Sequence, residues 1–305
     1  MAMSPTSERV KKVALYVALT YAATWALVRG YVAVGGRWNT GPAVLVGVVM
    51  MFIPLAGALC VKRVFGEPAW PALGISLRGG WWYLGAWLAP VCLALAALAI
   101  SLGLPGVSYS PEMEGLYQRL ALIFSEERVE QMRQAAAAMP VHIFWLMLVQ
   151  ALVAGPTINA LAALGEETGW RGFLYAELRP LGFWPCSVII GALWGLWHAP
   201  VVLLGHNYPE HPLAGVPLMT LWTILMTPLL IYLRERAQSV LPCAVFHGTV
   251  NSSTGLALAL VKGGNDLLIG VTGAAGMLAL AAANVALVAR VRGGGKAPAG
   301  EEAGR

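Results

Sequence analysis

The sequence predicts an all-α polytopic membrane protein of about eight transmembrane helices, with the N-terminus and the C-terminus cytoplasmic. Of the 305 residues, 58% are hydrophobic and only 11% are charged, whereas soluble domains contain roughly 45–50% apolar and roughly 25% charged residues. The apolar residues form long blocks, which is typical of helices that cross a bilayer. Basic residues lie beside these blocks, as the positive-inside rule describes.

Eight apolar segments are candidates for membrane spans, because a bilayer core about 30 Å thick requires about 20 helical residues. They lie near residues 13–28, 42–61, 81–103, 141–163, 186–204, 214–233, 239–261 and 267–289. The N-terminus also resembles a signal peptide, with basic residues before an apolar core. Since no small-x-small cleavage site follows, we expect this segment to remain as the first helix.

The fourth span is part of a longer apolar stretch, residues 141–178. A straight helix of that length would be about 57 Å long, which is too long for a bilayer. Proline in a helix interior removes a hydrogen bond and creates a clash, and Gly155-Pro156 lies within the stretch. We therefore expect two helices here, separated by a break or kink at this dipeptide.

The orientation follows from the distribution of Lys and Arg. With the N-terminus inside, the cytoplasmic segments hold Arg9, Lys11, Lys12, Lys62, Arg63, Arg78, Arg171, Arg179, Arg234, Arg236, Arg290, Arg292, Lys296 and Arg305. The outside segments hold only Arg29, Arg37, Arg119, Arg128, Arg133 and Lys262. The chain is then a single integral membrane domain, residues 1–290, with an extracytoplasmic helical loop at 104–140. Residues 291–305 are predicted to be a disordered cytoplasmic tail.

Ionisable side chains within apolar spans are expensive to bury, so each of them is a candidate functional residue. Three clusters qualify, and they consist of Glu166, Glu167 and Arg171, then His198, and then His247 with Asn251. Glu167 and Arg171 are four residues apart and share a helical face, so we expect them to pair. Glu166 then points about 100° away and is left free. His247 and Asn251 are also four apart and project to the same side.

The helical rise places the three clusters at comparable depth. His198 and Glu166 lie about 20 Å from the cytoplasmic ends of their spans, and His247 lies about 12 Å from its own. We therefore expect them to surround one buried cavity that is reached from the cytoplasmic side. A carboxylate, two histidines and an amide suit hydrolysis, because a glutamate can deprotonate water and polar donors can stabilise an oxyanion.

The three ordered motifs resemble those of the CPBP family, which includes the type II CAAX prenyl endopeptidases and bacterial bacteriocin-processing or immunity relatives. The resemblance covers a core of about residues 140–260 and implies an eight-helix intramembrane protease. The resemblance implies that Glu166 is the base that activates water and that His198 assists it. It further implies that Glu167 and Arg171 support the site and that His247 and Asn251 form the oxyanion hole. Trp194 stands where the family commonly has Phe.

The resemblance favours a glutamate mechanism with no cofactor. Family members have often been labelled metallopeptidases, and Glu166, His198 and His247 would be suitable ligands for zinc, so a zinc site stays open. The implied partners are the lipid bilayer and a peptide or protein substrate that enters from the membrane or the cytoplasmic side. The net charge of +5 forms no basic stripe, so no nucleic acid is expected. Abundant Ala, Gly, Leu and Val point to a bacterial plasma membrane protein.

Other interpretations of the same residues stay open. The whole chain could be a non-catalytic immunity or binding protein, or a proton-coupled transporter, although the inverted repeats typical of transporters are not evident. Glu167 and Arg171 could form a solvated ion pair in a loop. His198 could be a structural core histidine, and Asn251 could bond neighbouring helices. Cys243, four residues before His247, could form a thiol–imidazole pair, and His206 is expected to be interfacial.

Overall fold

The computed structural model describes residues 5–38, 40–68, 73–122 and 124–293. Its α-helices are α1 Pro5–Ala33, α2 Gly41–Val64, α3 Trp82–Leu102, α4 Glu114–Leu120, α5 Glu126–Ala137, α6 Ile143–Ala154, α7 Ala160–Glu167, α8 Tyr175–Leu178, α9 Phe183–Trp197, α10 Ala199–Val202, α11 Pro212–Ala237, α12 Leu241–Ser253, α13 Leu256–Ala259 and α14 Ala274–Gly293. Two short strands, β1 Ser108–Tyr109 and β2 Val261–Lys262, pair antiparallel. The predicted tail lies outside the described residues from position 294 onwards.

The helical architecture confirms the prediction of an all-α polytopic membrane protein. Within the described residues, five helical stretches are long and apolar enough to cross a membrane: Thr6–Ala33, Gly41–Val64, Trp82–Leu102, Ile143–Leu181 and Pro212–Ala237. Two further apolar helices, Phe183–Trp197 and Ala274–Arg290, are shorter. The count of eight spans and the side on which the termini lie therefore stay predictions.

The regular α-helix is interrupted at Gly155-Pro156, as expected, but the chain does not break there into two separate helices. A π-helical segment, Gly155–Asn159, joins α6 to α7, and a second one, Thr168–Leu174, joins α7 to α8. Proline lies in the first turn of the first π-helical segment, where the widened helix accommodates the irregularity without ending. The result is one continuous helical stretch, Ile143–Leu181.

The predicted seventh span, 239–261, is also shorter than expected. Helix α12 ends at Ser253 and is followed by the single turn α13 and by β2. Hydroxyl side chains at this end bond carbonyl oxygens three residues back, from Ser253 to Val250 and from Thr254 to Asn251. Such local bonds compete with regular helix continuation, which explains why the helix stops within an apolar stretch.

Glycines allow the helical stretch that carries the two glutamates to lie directly against α2. A Cβ atom at Gly165 would be 2.6 Å from the carbonyl oxygen of Met51, and one at Gly169 would be 2.5 Å from Cβ of Pro54. Small residues at four-residue spacing permit close helix–helix approach in membrane proteins. These glycines therefore fix the position of the Glu166–Glu167 segment against its neighbour.

We expect Gly169→Ala to destabilise the protein. The added methyl group would overlap Pro54 and the hydroxyl of Tyr16, and overpacking of this kind typically costs about 1–3 kcal/mol. Thermal denaturation in detergent should show a lower midpoint for this variant. Gly85→Ala is the matched control, since no atom lies within 4 Å of a Cβ placed there. Equal midpoints for the two variants would contradict the close packing.

Candidate active site

The structure places four of the six predicted site residues around one cavity of about 300 Å³, lined by Glu166, His198, His247 and Asn251 among others. Glu166 is contributed by α7, His198 by the residue after α9, and the other two by α12. The other two predicted residues, Glu167 and Arg171, lie behind the cavity wall and are fully buried. The three sequence motifs thus meet at one place although 85 residues separate the first from the last.

Glu167 forms the centre of a buried charged cluster. Its Oε1 atom accepts a hydrogen bond from Nη1 of Arg171 at 3.1 Å and another from Nδ1 of His247 at 2.8 Å. Arg171 also donates to the hydroxyl of Thr227 at 3.2 Å. The expected pair between Glu167 and Arg171 is present, and because both side chains are inaccessible to solvent, a solvated loop ion pair is excluded. The cluster also links α7 to α12 through His247.

The helical geometry led us to expect a free Glu166 carboxylate, but the structure shows that this carboxylate is hydrogen-bonded. Its Oε2 atom accepts a hydrogen bond of 2.7 Å from the indole nitrogen of Trp194. The spacing along α7 correctly turns Glu166 away from the Glu167–Arg171 pair, but it carries no information about which side chains another helix supplies. The carboxylate is therefore held in a fixed direction, with only 2% of the residue exposed.

Trp194 lies against Arg171 and both histidines, in addition to its bond to Glu166. Its ring centroid lies 5.7 Å from that of His198 and 5.2 Å from that of His247. The guanidinium carbon of Arg171 lies 4.1 Å from the centroid of the same ring, a favourable cation–π arrangement. The departure from Phe noted at this position thus supplies an N–H donor that Phe lacks. In the sequence, the sign that Trp194 belongs to the site was its position one helical turn before His198.

Hydrogen bonds fix the orientation of both histidines. Nδ1 of His198 lies 2.8 Å from the carbonyl oxygen of Trp194, and a carbonyl only accepts, so this nitrogen carries a hydrogen. Nδ1 of His247 likewise faces the carboxylate of Glu167. In both rings Nε2 is the nitrogen left for the cavity, and the bond at Nδ1 determines the tautomer. His198 is thus hydrogen-bonded at Nδ1 and also lines the cavity.

The other residues considered from the sequence, Cys243 and His206 among them, make contacts of their own. The thiol of Cys243 faces the carbonyl oxygen of Leu230 at 3.4 Å, which satisfies it inside the bundle. Ser252, which follows Asn251, bonds the carbonyl oxygen of Ala151 on α6 through its hydroxyl at 3.0 Å, so this neighbour of Asn251 joins two helices. His206, expected to be interfacial, lines the cavity and lies with its ring centroid 5.8 Å from that of Trp38.

The far end of the cavity lies away from the described ends of the chain, so cytoplasmic access and cytoplasmic termini, both predicted from the sequence, do not hold together. Its wall includes Trp38 and Asn207 from inter-helix turns, Met50 from the first half of α2, and Thr272 from the segment before α14. All of these lie at the end of the bundle opposite the described termini, whereas the predicted topology places the termini in the cytoplasm. Depth along a helix shows how far a residue is from one end, but it does not show which end is open.

A zinc site is not assembled in the described part of the chain. No group of three or more His, Cys, Asp and Glu side chains there is placed to hold a metal ion. Glu166, His198 and His247, the ligands left open by the sequence, line one cavity, but the Trp194 indole occupies one oxygen of the carboxylate. As placed, these side chains do not fit a metal ion.

Comparison with known proteins agrees with these motifs. Residues 140–253 match the family described as type II CAAX prenyl endopeptidase, Rce1-like, and all six site residues lie within that range. CAAX prenyl protease 2 of Methanococcus maripaludis is 37% identical over 49 residues, which is 16% of this chain and 18% of the relative. The alignment thus spans less than a fifth of that relative. The resemblance carried by the motifs is therefore confirmed over residues 140–253, where the chain matches the model of the type II CAAX prenyl endopeptidases.

Proposed function

We propose that this protein is an intramembrane endopeptidase that hydrolyses a peptide bond of a membrane-associated substrate with water activated by Glu166. One observation carries the proposal. A glutamate, two histidines and an asparagine line a single cavity among apolar helices, and hydrogen bonds hold the glutamate and both histidines in fixed orientations. Buried ionisable groups of this kind have a high cost in a membrane protein, which a catalytic role would explain.

In the proposed reaction, Glu166 removes a proton from water while Nε2 of His198 accepts a hydrogen bond from the same molecule and orients it. The hydroxide attacks the carbonyl carbon and forms a tetrahedral intermediate. Asn251 and His247, with a hydrogen also on Nε2, donate to the oxyanion, and the carboxylate of Glu167 balances the charge on His247. The proton held by Glu166 then passes to the leaving nitrogen as the peptide bond breaks.

The proposed setting is a bacterial plasma membrane, with the bilayer and a peptide or protein substrate as partners and no nucleic acid. The supporting features are the apolar helices and the absence of a basic stripe in the sequence. No cofactor enters the proposed reaction, because each step is assigned to a side chain that lines the cavity or supports one that does.

The test of the proposed function is to search for cleavage products. New peptide termini in membranes from cells with and without the chain would be labelled and identified by mass spectrometry. Termini that appear only when the chain is present, and that the purified chain reproduces on a synthetic peptide in liposomes, would support the proposal. Identical terminus profiles would contradict it and would favour a non-catalytic role on the same scaffold.

We expect Trp194→Phe to lower kcat by about tenfold, with a smaller change in KM. The variant keeps an aromatic ring but loses the hydrogen bond to the Glu166 carboxylate, and bonds to charged groups are worth about 1.5–3 kcal/mol. Initial rates of peptide cleavage in liposomes provide the measurement. Trp222→Phe is the matched control, because the Trp222 indole also lies at the cavity but donates to the carbonyl oxygen of Val271. Equal losses in both variants would contradict a specific role for Trp194.

A further inference from the structure

The turns that frame the cavity belong to one end of the bundle. Trp38 lies between α1 and α2, His206 and Asn207 lie between α10 and α11, and Thr254 and Thr272 lie between α12 and α14. Since consecutive long helices run in opposite directions, these three connections share one face. This face is opposite the N-terminal end of α1 and the C-terminal end of α14.

The other end of the site is filled with side chains. Trp170, Phe173 and Leu174, which follow the glutamates, are at most 1% exposed. The guanidinium of Arg171 fills the space between the carboxylate of Glu167 and the face of Trp194. An incoming peptide would have to displace this buried charged cluster to reach Glu166 from the end that carries the termini.

Charge distinguishes the two ends of the bundle. The end with the start of α1 and the end of α14 carries at least ten basic residues: Arg9, Lys11, Lys12, Lys62, Arg63, Arg78, Arg179, Arg234, Arg236 and Arg290. Within the described ranges, the cavity end carries six: Arg29, Arg37, Arg119, Arg128, Arg133 and Lys262. Because segments rich in Lys and Arg stay in the cytoplasm, this distribution favours the extracytoplasmic side for the cavity end.

A second depression continues the cavity outward at this end. Its volume is about 250 Å³, and it shares Asn207, Thr254 and Thr272 with the first cavity. Arg119 of α4 lies in its wall and donates to the carbonyl oxygen of Gly263 at 2.8 Å. Asp266, also in the wall, is held by the backbone N–H of Glu210 at 2.7 Å. The two depressions form one path with polar groups along it.

We propose that the substrate reaches Glu166 from the extracytoplasmic side, as an extended segment of a membrane-inserted or exported protein presented at that face. A cytoplasmic C-terminal motif is then not the target. The cleavage itself rests on the proposed function. The direction of access rests separately on the cavity wall, the filled cytoplasmic end and the distribution of charge.

Cysteine labelling tests the direction of access without requiring catalysis. The two exposed native cysteines, Cys60 and Cys92, would first be changed to serine. Asn207→Cys then reports on the cavity, Arg37→Cys on the exposed turn at the same end, and Arg179→Cys on the opposite end. A charged, membrane-impermeant methanethiosulfonate would be applied to right-side-out and to inside-out membrane vesicles.

We expect the cavity and turn cysteines to react at least tenfold faster in right-side-out vesicles, and Arg179→Cys to react faster in inside-out vesicles. Faster reaction of Asn207→Cys in inside-out vesicles, or no reaction from either side, would overturn the proposal. If the labelling pattern is as expected but no cleavage products are found, the direction of access stands and the proposed function fails. If products are found but the pattern is reversed, only the direction of access fails.

Discussion

Glu166→Gln is expected to reduce kcat for peptide cleavage by about 10³–10⁴-fold, with KM little changed. Glutamine has the shape of glutamate, and its amide oxygen can still accept the hydrogen bond that Trp194 donates to Glu166. It cannot take a proton from water, and general base catalysis typically contributes about 10²–10⁴-fold. Initial rates in liposomes with an identified substrate peptide measure the effect.

The matched control for this prediction is Glu177→Gln in α8. This glutamate follows in the same helical stretch, lies outside the cavity and pairs with Arg9 at 3.7 Å. We expect it to retain wild-type kcat. The thermal midpoint of Glu166→Gln should stay close to that of the wild type, which separates lost chemistry from lost folding. Wild-type turnover in Glu166→Gln would rule out the glutamate mechanism.

Arg171→Met is expected to have the largest effect on stability. It leaves the carboxylate of Glu167 fully buried with His247 as its one remaining side-chain partner among the described residues. The Oε2 atom of Glu167 already has no hydrogen-bond partner within the described part of the chain. Breaking a buried ion pair by removing one partner costs about 3–5 kcal/mol. A thermal denaturation scan at fixed rate in detergent should show a strongly lowered midpoint.

A second variant separates buried charge from packing. In Glu167→Gln combined with Arg171→Met, no carboxylate is left unpaired, so we expect most of the lost stability to return. Activity should remain low, because His247 loses the negative charge that faces its Nδ1 atom. If the double variant is no more stable than Arg171→Met, the loss comes from packing of the guanidinium against Trp194 rather than from the stranded carboxylate.

Much of the fold was predictable, because membrane helices leave a strong local signal. Long apolar blocks can satisfy their backbone hydrogen bonds in a bilayer only as helices, and the five long apolar helices follow from this. The boundaries at Gly155-Pro156 and Ser253 were not predictable to the same degree. They depend on a π-helical segment and on side-chain bonds to the backbone, which apolar composition does not encode.

The candidate site was predictable as a set of residues but not as an arrangement. Glu166, His198, His247 and Asn251 stand out because ionisable or polar side chains are rare within apolar spans, and the structure places all four at one cavity. The bond from Trp194 to Glu166 and the place of His206 in the wall were missed. An aromatic residue in an apolar helix gives no local sign of the partner that its N–H will find.

The sequence by itself determined that this protein is helical, lies in a membrane and pairs Glu167 with Arg171, since each of these depends on composition or on spacing within one helix. Only the tertiary structure decided that His247 joins the Glu167 cluster and that Trp194 holds Glu166. It also decided that the cavity lies at the end opposite the start of α1 and the end of α14. These features arise between helices far apart in the chain. Their geometry depends on how closely the helices pack, which glycines such as Gly165 and Gly169 control through contacts with α2.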